Sequence, residues 1–287
     1  ELRASGGGGK DIVRVDAVSG RDSVLLPASR LVVDGRAVTV ERVVPQGRLL
    51  LLAAGTRPVV PHKSGATHYV HDLASGRTTP LSRDTTAQLA VKLSPDGRRV
   101  GFVRANDLWV VDLASGAERR LTTDGSDTVH NGISDWVYDE ELDLEDAWRW
   151  SPDGGRIAFW RFDTGREPVY PVVDYAKLNP TVFPLRHPKP GQPNARVTVG
   201  VVDVATGATR WIPLGDMEYV ARVEWLGADS LAFLSVDGIY RAVGLDARDA
   251  RAPQFTDHCF TGEYPTPLTD QSGHTVPRQL SLLAEVG

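Results

Sequence analysis

The sequence predicts an all-β protein, part of a β-propeller of four-stranded blades, on three observations: a recurring turn phrase, a second phrase interlocked with it, and a near absence of helical periodicity. The first phrase is Asp-x-x-Ser/Thr-Gly, found in VDAVSGR at 15–21, HDLASGR at 71–77, VDLASGA at 111–117 and VDVATGA at 202–208. Each copy follows an apolar or aromatic stretch such as THYV, LWVV or TVGV and precedes a polar one, which reads as strand, tight turn closed by Gly, and second strand. The second phrase is Ser-Pro-Asp-Gly, in LSPDGRRVGFVR at 93–104 and WSPDGGRIAFWR at 150–161. Pro-Asp-Gly supplies turn geometry, and the residues after it alternate as a strand does. In order, the phrases spell strand, turn, strand, link, strand, turn, strand: one blade. From Gly76 to Gly116 the spacing is 40 residues, inside the roughly 40 to 50 of propeller repeats. A β-sandwich is the rival architecture, but sandwiches rarely repeat their turn words at a fixed period.

Between Gly116 and Gly207 lie 91 positions, about two blade lengths, with one Ser-Pro-Asp-Gly phrase among them. Residues 122–148 and 163–195 therefore carry material beyond a minimal blade, and such insertions project as loops on one face of a repeat fold. Residues 1–248 are assigned to the partial propeller. Residues 249–287 are rich in turn formers without alternation and read as an irregular tail or incomplete blade.

Composition narrows the partners. Hydrophobic residues at 41% and charged residues at 24% are those of a globular protein with a real core. The net charge of -5, from 37 acids and 32 bases, opposes a nucleic-acid surface. Cys259 is the sole cysteine, so no internal disulfide forms; a cytoplasmic location fits, with a periplasmic or secreted parent left open. No run approaches the roughly 18 to 20 apolar residues of a membrane helix. The start, ELRASGGGGK, has no Met and no signal-peptide core, as expected of a piece of a longer chain.

Several features are read as structural. GGGGK at 6–10 lacks the upstream Gly of a phosphate loop and has Asp11 where Ser or Thr would hold Mg²⁺, so it reads as a blade loop. His62, His68, His71, His130, His187, His258 and His274 form no ligand spacing; His68 and His71, three apart on a strand, face opposite ways. Trp109, Trp148, Trp150, Trp160, Trp211 and Trp225 read as strand or inter-blade packing. No metal or other cofactor is expected.

The first insertion holds DWVYDEELDLED at 135–146, with Asp135, Asp139, Glu140, Glu141, Asp143, Glu145 and Asp146 in twelve positions and no Lys or Arg. The spacing predicts a helix over 136–148. On a strand, Glu140 and Glu141 would point to opposite faces, whereas on a helix they stand about 100° apart and can reach one small cation together. A solvated acidic helix is the plain alternative. A partly buried carboxylate pair repels itself and is relieved by an ammonium ion, so it suits a protonated amine. Ca²⁺ is a rival occupant, but the D-x-D-x-D-G pattern is missing; a glycosidase-type acid pair has no sugar-site signal beside it.

DGSDTVHNGISDWVYDEEL, followed by WRWSPDGGRIAFWRFDTGREPVYPVVDY and HPKPGQPNARVTVGVVDVATG, resembles the N-terminal propeller of the dipeptidyl peptidase IV family, in the prolyl oligopeptidase clan of serine peptidases, whose hallmark is D-W-x-Y-E-E-E. The resemblance covers about residues 90–215. It implies an eight-bladed propeller, of which this chain supplies about five or six blades, capping an α/β-hydrolase domain. It implies that Glu140 and Glu141 bind the substrate's free α-ammonium, supported by Asp135, Trp136, Tyr138 and Asp139, the last replacing the family's first Glu. The implied partners are a peptide with a free N-terminus, the hydrolase domain of the parent chain and, among assemblies, a homodimer. The family's carbonyl-binding Arg lies in a region that reads VVPHKSGATHYV, where His62 and Lys63 are the nearest basic residues. No G-x-S-x-G elbow occurs, so the nucleophile is expected beyond residue 287. The alternative is a non-catalytic propeller acting as a peptide- or protein-binding scaffold. An open propeller exposes strand edges, so the fragment alone is expected to be marginally stable.

Overall fold

A computed structural model describes residues 1–6, 9–60, 63–176, 178–215, 217, 219–235, 239–242 and 256–258. His62, Cys259, His274 and all of 249–287 except 256–258 lie outside the described residues. The chain divides into two compact units, Glu1–Trp211 and Ile212–Gly287.

The turn phrases close as their residues require. In the third copy, the Asp112 side chain accepts hydrogen bonds from Ala114 N–H (3.2 Å), Ser115 N–H (2.9 Å) and the Ser115 hydroxyl (2.8 Å), and Gly116 N–H donates to Asp112 O (2.8 Å). Gly116 sits at φ 70°, where a Cβ would be strained. Asp16 and Asp203 repeat the arrangement. The Ser-Pro-Asp-Gly turns are equally alike: the Ser94 hydroxyl donates to Asp96 and the Ser151 hydroxyl to Asp153, both at 2.5 Å.

The first unit holds four successive antiparallel sheets. The first is β1 (Leu2–Ala4), β2 (Lys10–Val15) and β3 (Asp22–Leu26), with the GGGGK run joining β1 to β2. A small hairpin, β4 (Val32–Val33) and β5 (Arg36–Ala37), leads to the second sheet, β6 (Val40–Gln46), β7 (Leu49–Val60), β8 (Lys63–Asp72) and β9 (Arg77–Pro80). The third is β10 (Leu89–Leu93), β11 (Arg99–Arg104), β12 (Asp107–Asp112) and β13 (Glu118–Arg120). The fourth begins with β14 (Val129–Asn131), passes through helix α1 (Trp136–Glu140) and β15 (Trp148–Trp150) to β16 (Arg156–Asp163), leaves as a ribbon of β17 (Val169–Asp174) and β18 (Thr181–Arg186), and returns as β19 (Arg196–Asp203) and β20 (Thr209–Ile212). Both β14 and β15 pair with β16. The second unit carries β21 (Val220–Trp225), β22 (Leu231–Ser235), β23 (Ile239–Ala242) and β24 (Thr256–His258), again a four-stranded antiparallel sheet. The described residues thus give five blades of a partial propeller, the first with three strands; β24 forms inside the stretch read from sequence as an irregular tail.

Alternation makes each blade of the first unit core for its neighbours. On β7, Leu50 and Leu52 pack toward the first sheet with Ile12 and Leu26, while Leu49 and Leu51 pack toward the third with Val91 and Leu93. On β11, Val100 and Phe102 join the cluster shared with the second sheet, and Val103 joins Trp148, Ile157 and Phe159 of the fourth. Strands buried on both faces read as continuous apolar runs, which explains LLLLAA at 49–54. Each such side chain contributes about 1.5–3 kcal/mol by leaving water. The Trp reading holds for Trp148 and Trp160, which are fully buried, and for Trp109 and Trp150, which pack on the two shared clusters.

The predicted helix over 136–148 is corrected to Trp136–Glu140. Asp143 adopts φ 52°, and Leu144 N–H turns back to Tyr138 O (3.0 Å). The reason is tertiary: Leu144, Ala147 and Trp148 are buried, and Trp148–Trp150 must extend to pair with β16.

Candidate functional site

The acidic insertion is anchored from below by one buried carboxylate. Asp107, fully enclosed at the start of β12, pairs with Arg120 and accepts from the Thr122 hydroxyl (2.6 Å), Gly125 N–H (3.1 Å) and the Asn131 amide (3.1 Å). These bonds fix the path from β13 through β14 into α1.

α1 has one and a half turns, so its end contacts decide its orientation. Asp135 is the N-cap, its side chain accepting from Tyr138 N–H at 2.9 Å. Tyr138 is buried and meets Phe162 edge-on with ring centres 4.9 Å apart; Trp136 meets His187 likewise at 4.1 Å. Asp139 leaves the acidic face sideways: Lys63 Nζ lies 2.9 Å from its carboxylate and 2.9 Å from the Ser134 hydroxyl. Asp146 is held between Lys92 (2.9 Å) and Arg149 (2.5 Å). Burial pushes the Asp146 carboxyl up, but the Lys92 and Arg149 charges outweigh it and hold the group below its ordinary range.

The supporting residues Asp135, Trp136, Tyr138 and Asp139 are therefore brought together as a braced turn, and Glu140 and Glu141 emerge from its last residues with exposed side chains. A cavity of about 420 Å³ opens beside it, lined by Lys63, His68, Gln88, Asp139, Glu145 and Asp146 among others. Glu140 and Glu141 stand outside that lining. His68 is neutral, pushed down to about 4 by burial, with Nδ1 3.1 Å from Gln88 Oε1. His71 bonds Thr78 (2.8 Å).

One residue escaped sequence reasoning. Glu167, between β16 and β17, is buried against Asp135, and its Oε1 accepts from Ala195 N–H at 3.0 Å. Nothing in TGREPVY marks it; the contact spans 32 positions and only folding makes it. Lys63 was legible as a nearby basic residue, but its pairing with Asp139 was not.

Fold and site together define a β-propeller region with a braced acidic turn inserted in its fourth blade. Residues 44–267 match the family described as "Dipeptidyl peptidase IV (DPP IV) N-terminal region", and the chain belongs to that family. It is 28% identical over 258 residues to "Probable dipeptidyl peptidase 4" of Aspergillus flavus, covering 84% of this chain and 33% of the relative. It is 32% identical over 186 residues to dipeptidyl peptidase 4 of Arthroderma otae, covering 60% of this chain and 24% of the relative. The crystal structure of Porphyromonas gingivalis dipeptidyl peptidase 4 superposes with a TM-score of 0.74 at 27% identity, over 84% of this chain and 37% of that one. The chain thus spans about a third or less of the length of the curated relatives it matches.

Proposed function

We propose that this chain is the substrate-gating propeller region of a dipeptidyl-peptidase-type serine exopeptidase, in which Glu140 and Glu141 bind the free N-terminal ammonium of a peptide. The observation that carries the reading is the braced turn: the Asp135 cap, the Tyr138–Phe162 contact and the Lys63–Asp139 ion pair fix α1, and Glu140 and Glu141 follow one another at its exposed end. Their partner is a primary ammonium, whose N–H groups donate charge-assisted hydrogen bonds to both carboxylates at once. Anchoring the peptide by its terminus fixes how many residues reach a nucleophile, so the pair acts as a ruler for dipeptide release. A hydrolase domain of the parent chain and self-association belong to the same proposal, with Val169, Tyr170, Val182 and Phe183 exposed on the β17–β18 ribbon.

The test is kinetic, in the full-length protein. Glu140→Ala or Glu141→Ala should lower kcat/KM on free-amine dipeptide substrates by roughly a hundredfold, as expected when a charge-assisted contact is lost. N-acetylated substrates should be poor in the wild type. Because an α-amino group has a pKa of about 7.7 to 8.0, wild-type kcat/KM should fall as pH rises through that range. Unchanged rates in both variants would reject the ruler in favour of a binding scaffold.

A further inference from the structure

The cavity beside α1 is walled on one side by a cross-strand row of the second blade. Arg42 on β6 pairs with Ala53 on β7, which pairs with His68 on β8, and Ala66 of β8 bridges Gln88 just before β10. All five residues line the cavity, whose volume is about 420 Å³. Ala53 and Ala66 project only a methyl group each, so space is left between the longer side chains. His68 and Gln88 are 3% and 1% exposed.

Hydrogen bonds fix what these two side chains offer. Gln88 Oε1 accepts the His68 backbone N–H at 3.0 Å, a place no NH2 group could take, so the orientation of the amide is settled. The same Oε1 lies 3.1 Å from His68 Nδ1, and because an amide oxygen carries no proton, Nδ1 is the donor. Burial keeps the imidazole neutral, which leaves Nε2 as an acceptor. One joined pair therefore holds an acceptor, His68 Nε2, and a donor, Gln88 Nε2. Both atoms are buried, and neither has a hydrogen-bond partner among the described residues. Buried polar atoms are rarely left so.

The nearby charges are otherwise engaged. Lys63 pairs with Asp139 and the Ser134 hydroxyl, and Asp146 pairs with Lys92 and Arg149. The remaining charged lining residues, Glu41, Arg42 and Glu145, are exposed. The buried pair calls for a neutral group that accepts from Gln88 and donates to His68. A backbone peptide group is trans and points its N–H and C=O apart, whereas a primary carboxamide carries an oxygen and an N–H side by side.

We propose that this cavity is a subsite for the primary carboxamide of an Asn or Gln side chain at the first position of the bound peptide, its oxygen accepting from Gln88 Nε2 and its NH2 donating to His68 Nε2. The position follows from the chain. Asp139 lines the cavity and Glu140 is the next residue, so an ammonium held by Glu140 and Glu141 brings the first side chain nearest the cavity. The inference rests on the ammonium-binding reading for which residue of the peptide enters; the donor and acceptor pair stands apart from it.

The experiment uses the full-length protein and dipeptide substrates that share a second residue and carry Gln, Met, Asn, Leu, Lys or Arg first. Met and Leu are close to Gln and Asn in size and lack the amide. Gln should have a KM roughly tenfold below that of Met, and Asn a KM below that of Leu, with kcat little changed, as expected of two neutral hydrogen bonds made equally before and during reaction. The ratio of the Met to the Gln KM should fall to near one in His68→Phe and in Gln88→Met, which remove the acceptor and the donor at similar size; thermal unfolding checks that each variant is folded.

Equal KM values for Gln and Met in the wild type, a comparison that needs no variant, would overturn the subsite, and so would a ratio that survives both substitutions. Lys or Arg bound more tightly than Gln would overturn it as well, by giving the cavity to a cation. Failure of the ammonium reading looks different: Glu140→Ala and Glu141→Ala would leave the rates on all six substrates unchanged, whereas failure of the subsite removes only the difference between Gln and Met.

Discussion

Seven acidic side chains in twelve positions look uncompensated in the sequence, and the fold gives two of them basic partners. Asp139 is answered by Lys63 and Asp146 by Lys92 and Arg149, while Asp135 accepts the Tyr138 N–H. The basic partners come from β8, β10 and β15, far along the chain or past the run, which is why no local pattern reveals them. Lys63 and Asp139 are mostly buried, with side chains 12% and 11% exposed. Breaking such a pair from one side leaves a desolvated charge, so Lys63→Met should destabilise the fold by about 3 kcal/mol. Lys63→Met combined with Asp139→Leu should recover most of that loss; thermal unfolding of the three variants checks it. An unchanged midpoint in Lys63→Met would mean that Asp139 finds water instead.

At the scale of elements, the acidic helix was legible in its start and not in its end. The helix expected from residue 136 begins there, and the structure supplies Asp135 as its N-cap. Helical spacing of charges continues to Asp146, but Leu144 and Trp148 are claimed by the core and β15 by β16, and that packing outweighs any propensity of LDLED. Blade contacts show the same dependence on neighbours. Gly101 on β11 faces Trp148 of the next blade, and a Cβ there would lie 2.7 Å from the indole ring. Gly101→Ala should therefore cost about 1–3 kcal/mol by overpacking. Because Lys92 lies over the Trp148 ring, 4.5 Å from its centre, and near Asp146, the same substitution should also disturb the acidic turn. Tryptophan fluorescence together with the unfolding midpoint reports both; an unshifted midpoint would mean the two blades slide apart without strain.

For the whole molecule, two buried groups tilt stability with pH in opposite directions. His68 has an ordinary value of 6.5 and is lowered to about 4 in the fold, so the unfolded chain binds the extra proton; its contribution is complete above 6.5 and is lost as pH falls toward 4. Glu167 has an ordinary value of 4.5 and is raised to about 8, so the folded chain binds the extra proton; its contribution is complete below 4.5 and is lost as pH rises through 8. The two effects cancel between about pH 4.5 and 6.5, so stability should be level there and fall as pH rises from 6.5 through 8. His68→Gln should make the fall begin near pH 4.5, and Glu167→Gln should remove it and leave a loss below pH 6.5, read as thermal midpoints from about pH 4 to pH 9. A wild-type midpoint independent of pH between those limits would contradict both assignments.

The sequence by itself determined the architecture and the family. Turn chemistry is local, so Asp-x-x-Ser/Thr-Gly and Ser-Pro-Asp-Gly announce hairpins wherever they occur, and their period announces blades. The motif DWVYDEEL placed the turn and its Glu pair, whereas the Asp135 cap and the exposure of Glu140 and Glu141, expected to be partly buried, came from the structure. Tertiary structure alone decided the length of α1, the ion pair of Lys63 with Asp139, and the meeting of Asp135 with Glu167. The physical reason is common to all three: burial changes what a charge costs, and burial is set by strands that lie far apart in the chain until they pack.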